Sequence, residues 1–128
     1  MYKARPNRPV TLPLMGLRMP LPAWVSFLHR VSGVLLFLCL PAALYALERA
    51  LSGAEAFDAV QRQLAQPAVR LLLLVAVWAL AHHLFAGIRH LLMDLHFGTE
   101  LAAARRSARA AAVAGGLVAL ATAWRLVA

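Results

Sequence analysis

The stretch HHLFAGIRHLLMD at residues 82–94 sets His82, His83, Arg89, His90 and Asp94 directly after the oily run LLLLVAVWALA. On a helix, residues seven apart return to nearly the same face, because two turns take about 7.2 residues. His83, Gly87, His90 and Asp94 then share one stripe, and His82 and Arg89 share its neighbour. A glycine one turn from a histidine removes the side chain that would stop a flat ligand from lying against that face. The pattern suits a porphyrin whose iron is bound axially by an imidazole; it suits close packing of a neighbouring helix as well. Depth separates the histidines, since seven residues amount to about 10 Å along a helix. Ionisable groups inside a membrane are costly and mark ion paths, ligands or cofactors. His83 is the candidate buried ligand, against the alternative of a neutral imidazole hydrogen-bonded to another helix.

A second cluster, WVSFLHRVSG at residues 24–33, puts Ser26 and Arg30 on one helix face and His29 and Gly33 on another. Arg30 has two readings: its long stem carries the charge back to the headgroups, or it serves an anionic cofactor edge or a polar quinone head. Ser26 and Arg30 near the start of one helix and Asp94 near the end of the next all fall toward the same side of the membrane. One shallow site between two helices could use them together.

The elements that must hold these groups follow from three uncharged runs, residues 31–47, 71–88 and 110–124, the second with its histidines neutral. With their flanks, each reaches the ~20 apolar residues that cross a bilayer. The expected fold class is all-α: an integral membrane protein with three transmembrane helices at about 22–49, 67–95 and 100–126. Pro22 and Pro67 suit first turns, Pro41 predicts a kink, and Gly98 is the expected stop of the second helix. Residues 1–20, with four prolines, read as an irregular arm, and the first loop (about 50–66) has room for a short interfacial helix. The alanines and Gly115-Gly116 of the third helix suit close helix contact. Nothing suggests a second domain in the 128 residues, of which 62% are hydrophobic and 14% charged.

The net charge of +8 would suit nucleic acid, but the basic residues flank apolar runs and read as membrane anchors. Lys3, Arg5, Arg8, Arg18, Arg30, Arg89, Arg105, Arg106 and Arg109 lie on one side; Arg49, Arg62 and Arg70 beside the first loop are cancelled by Glu48, Glu55 and Asp58. The positive-inside rule then puts the N-terminus in the cytoplasm and the C-terminus outside, with Trp24, Tyr45 and Trp124 in the aromatic belts. Some thirty residues with several prolines before the first run argue against a secretory signal. One cysteine, Cys39, excludes an intrachain disulfide and cannot hold an iron–sulfur cluster.

RPV at residues 8–10, Leu14, Leu21, SFLHRVS at residues 26–32 and HLFAGIRHLLMD at residues 83–94 together resemble the cytochrome b556 membrane-anchor subunits of succinate dehydrogenase, over nearly the whole chain. His96 departs from the pattern, which has a small residue there. The resemblance implies that the chain is half of a heterodimeric helix bundle in the bacterial inner membrane. It implies His83 as an axial ligand of haem b, His29 and Arg30 near the haem propionates, and Ser26, Arg30 and Asp94 at a site for ubiquinone or menaquinone. The other axial histidine would come from a second anchor subunit. Flavoprotein and iron–sulfur subunits on the cytoplasmic face would supply electrons from succinate, so this chain would oxidise none itself. Helix counting puts His29 about 9 Å into the first helix and His83 about 18 Å from the end of the second. Those depths make His29 a poor opposite ligand. A fumarate reductase anchor working with menaquinone, and a haem-free anchor, are the competing readings.

Overall fold

In the computed structural model, residues 19–127 are described; the expected arm 1–20 and the RPV stretch with Leu14 lie outside them, apart from Met19 and Pro20. Those residues form four helices: α1 (Leu21–Leu51), α2 (Ala54–Leu64), α3 (Pro67–Asp94) and α4 (Leu101–Val127). α1, α3 and α4 (the last over Leu101–Leu126) are long and apolar enough to cross a membrane. Pro22 and Pro67 stand in the first turns of α1 and α3, where a missing N–H costs nothing. The chain stays helical through Pro41.

The first loop carries the expected short helix, α2, which takes up most of the segment between α1 and α3. Its spacing turns Ala56, Ala59 and Val60 inward and leaves the charged residues Glu55, Asp58 and Arg62 exposed. Gly53, at φ 144°, makes the sharp entry between α1 and α2, a conformation that side chains rarely adopt.

The end of α3 corrects the expected stop at Gly98. Leu95 is the cap, and the turn to the left-handed region comes at His96, with φ 65°. The His96 N–H donates to the Met93 carbonyl and the Phe97 N–H to the Leu92 carbonyl, both at 2.9 Å. That pair of bonds is a Schellman closure, which needs one left-handed residue just past the cap. Histidine is among the non-glycine residues that tolerate this region best. The departure of His96 from a small residue therefore falls on the one position where the absence of a side chain would help.

The helices pack through small residues. Ala79, Ala81 and Ala86 of α3 and Ala104, Ala108 and Ala111 of α4 are buried, and Val25 of α1 joins Ala86, Ala108 and Ala111 in the core. Gly115 lies against the backbone of His82, where a Cβ would come within 3.3 Å of its Cα. Such surfaces bring helices close enough for dispersion contacts to hold them together in lipid. α4 packs along α3, and α1 packs against α3 and also touches α4, so the three long helices share one core. Most large apolar side chains, among them Phe27, Val34, Phe37, Leu84 and Leu120, face outward. A soluble chain would bury them; a bilayer solvates them.

Candidate functional site

His83 sits where α1 and α3 cross. Its Nδ1 is 3.0 Å from the His29 carbonyl oxygen and 3.3 Å from Ser32 Oγ. A carbonyl can only accept, so Nδ1 carries the proton and Nε2 keeps its lone pair. The buried Ser32 hydroxyl donates to the same carbonyl at 2.9 Å. Both hydrogen bonds of His83 among the described residues run through Nδ1. Such a bond fixes the tautomer and ring orientation of a metal-binding histidine.

Two glycines make the crossing possible. A Cβ on Gly33 would lie 2.9 Å from His83 Cε1, and a Cβ on Gly87 would lie 3.2 Å from His29 Nε2. Each histidine thus rests on a glycine of the facing helix, and the pairs run in opposite order, as antiparallel helices require. Gly87 is therefore covered by the His29 ring, which favours the close-packing alternative for that position. The glycine that seats His83 is Gly33.

The two imidazoles stack, with ring centroids 4.1 Å apart and planes 11° from parallel. His90 tilts against His29 at 5.2 Å and 59°. The two histidines stay about a turn apart along the helices, since His83 lies level with Gly33 and His29 with Gly87, yet their rings meet because each side chain reaches toward the other across the crossing. His29 remains unfit to be the opposite ligand for another reason. The His29 and His83 rings lie face to face, so their nitrogens do not point at each other across a gap, and His29 and His83 would not hold one metal between them.

Ser26 is half-buried, Arg30 is exposed, and Asp94 is exposed as the last residue of α3. No hydrogen bond joins them to one another among the described residues. Arg30 borders a shallow groove on α1 lined by Val31, Val34, Leu35 and Leu38. Ser26 and Arg30 share a face of α1, as i and i+4 residues must, and Asp94 stands at the end of the neighbouring helix.

Other polar groups of the motif tie helices together. His82 is buried, with Nε2 3.4 Å from the Val25 carbonyl and its ring stacked on Trp78 at 5.4 Å. Arg89 is 6% exposed and donates through Nε to Ser107 Oγ at 3.1 Å and through Nη2 to the Ala104 carbonyl at 3.4 Å. Counted in the sequence among surface charges, Arg89 instead lies between α3 and α4. Ser32 and Gly33 were legible only as part of the motif; their spacing to His29, at +3 and +4, was the signal for a role beside it.

The profile of a family described as "Succinate dehydrogenase/Fumarate reductase transmembrane subunit" matches residues 4–123. The chain belongs to that family. It is 42% identical over 103 residues to a "Succinate dehydrogenase cytochrome b556 subunit" of Coxiella burnetii (strain RSA 493 / Nine Mile phase I), covering 80% of this chain and 82% of that one. A protein of the same description from Paracoccus denitrificans is 32% identical over 114 residues, 89% of this chain and 87% of its own. As a member of the family, the chain is a transmembrane subunit of a larger assembly, and the crossing of α1 and α3 carries the SFLHRVS and HLFAGIRHLLMD stretches.

Proposed function

We propose that this chain anchors a succinate dehydrogenase in the bacterial inner membrane, ligates haem b on one side through His83, and contributes Ser26, Arg30 and Asp94 to a site where quinone is reduced. The observation that carries this reading is the Nδ1 bond from His83 to the His29 carbonyl, which leaves Nε2 as a free donor on a ring seated against Gly33. Among the described residues no three His, Cys, Asp or Glu side chains gather to hold a bare metal ion. A single imidazole nitrogen, Nε2 of His83, suits an iron that brings its own macrocycle, with the opposite ligand supplied by a second anchor subunit.

The haem, when bound, supplies a one-electron redox centre beside the quinone site. What the chain itself does is positional and electrostatic. His83 holds its lone pair in a fixed direction, and the shared carbonyl of His29 sets how strongly the ring donates. Arg30 is a permanent cation for a propionate or a quinone carbonyl, and Ser26, one turn away, offers a hydroxyl. Asp94 is a carboxylate at the helix end, suited to passing protons. Succinate yields two electrons and two protons in becoming fumarate, and quinone takes up two of each in becoming quinol. The flavoprotein and iron–sulfur subunits carry out the first half. The exposed Arg105, Arg106 and Arg109 at the start of α4 support a cytoplasmic position for that end, where those subunits would dock.

Both named relatives are succinate dehydrogenase subunits, which favours succinate oxidation over a fumarate reductase working in reverse. A reduced-minus-oxidised spectrum of the purified complex tests the reading. A b-type band reducible by succinate supports it; a complex without that band is a haem-free anchor.

A further inference from the structure

Arg89 raises a separate question, because its charge lies buried in a membrane helix and its partners among the described residues are neutral. A hydroxyl and a carbonyl satisfy two N–H groups but do not neutralise a cation. Isolated buried charges cost several kcal/mol, so they persist where an anion reaches them. Nη1 takes no partner among the described residues and is not sealed off from outside. Arg89 lines a groove of ≈ 400 Å³ between α3 and α4, whose other walls are mainly apolar: Phe85, Ile88, Leu92, Ala110 and Ala114.

We propose that this groove binds one anionic phospholipid, its phosphate on the Arg89 guanidinium and an acyl chain along the α3–α4 seam. Depth supports the choice. α3 has 28 residues, about 42 Å, against a hydrocarbon core of about 30 Å, which leaves about 6 Å of helix at each end. Arg89 lies five residues before Asp94, about 8 Å from the helix end. That is the level where phosphates give way to acyl chains. The exposed Arg105, Arg106 and Arg109 at the same end of α4 add attraction for an anionic leaflet. A planar guanidinium suits the bidentate geometry of a phosphodiester, and a headgroup without a choline cation leaves that phosphate's charge for Arg89 while sparing it a repelling neighbour.

The test is native mass spectrometry of the detergent-purified complex after delipidation, with phosphatidylglycerol or phosphatidylcholine added back. The expected result is one phosphatidylglycerol bound about tenfold more tightly than phosphatidylcholine, the size of one charge-assisted contact. Arg89→Lys should keep that preference and Arg89→Gln should lose it. Should Arg89→Gln fail to assemble, Ala110→Trp decides: Ala110 is exposed in the groove wall, so the bulk blocks the lipid while Arg89 stays intact. Equal binding of both lipids, lipid retained in Ala110→Trp, or displacement by inorganic phosphate alone would overturn the proposal. So would an unmodified complex that takes up no lipid, as expected if a partner subunit's carboxylate occupies Arg89.

Discussion

Gly33 and His83 meet so closely that a methyl group on the glycine would sit 2.9 Å from Cε1 of the imidazole. A real Cβ does not tolerate that distance, so the ring has its position only because residue 33 has no side chain. Gly33→Ala should push His83 away from the His29 carbonyl, at a strain of about 1–3 kcal/mol. The expected outcome is a lower haem-to-protein ratio in a complex that still assembles, read by pyridine haemochrome assay against subunit content. Normal haem content would mean that His83 does not hold the iron from this seat.

Ser32 and His83 share the His29 carbonyl as donors, and this gives a signed prediction. Ser32→Ala removes the competing hydroxyl, so the Nδ1–H bond strengthens and the ring becomes a better electron donor. Haem content should persist, stability should fall by about 1 kcal/mol, and the haem midpoint potential should move lower. A potentiometric titration checks the direction, and a shift upward would contradict it.

Ser26→Ala and Arg30→Ala test the proposed quinone site. Each should slow quinone reduction more than succinate oxidation by an artificial acceptor, because the acceptor bypasses the membrane site. Arg30→Ala, which removes a cation, should have the larger effect. Parallel losses in both assays would point to a defect in assembly.

His96 at φ 65° closes α3 at a cost of about 1–2 kcal/mol for a residue with a side chain. His96→Gly should raise the thermal stability of the solubilised complex or leave it unchanged, and His96→Val should lower it. The opposite order would mean that the histidine side chain has a role of its own in the loop.

The three spanning helices were legible in the sequence because each apolar run is as long as a bilayer is thick, and the prolines at 22 and 67 marked two of their starts. The stripe of His83, Gly87 and His90 was legible because helical spacing is local. The relative height of two helices is not local. Helix counting separates His29 from His83 along the helices but does not show that their rings meet and stack across the crossing. For the same reason the spacing paired His83 with Gly87 on its own helix, although the glycine that seats it is Gly33 on the other. Arg89 looked like a surface charge because nothing in its neighbourhood along the chain announces Ser107, eighteen positions later. The left-handed turn went to Gly98 by residue type, and the hydrogen bonds put it first at His96.

The central claim is that one histidine of the motif holds the iron. The most direct measurement is the reduced-minus-oxidised spectrum of three purified complexes carrying His83→Ala, His82→Ala and His90→Ala, each normalised to flavin. The account predicts that the b-type band is lost or strongly weakened only with His83→Ala. His82→Ala should lower the yield of complex, since it removes the link to the Val25 carbonyl, while keeping haem in what assembles, and His90→Ala should keep it too. A band of equal strength in all three, or one lost only with His82→Ala or His90→Ala, would contradict the assignment of His83.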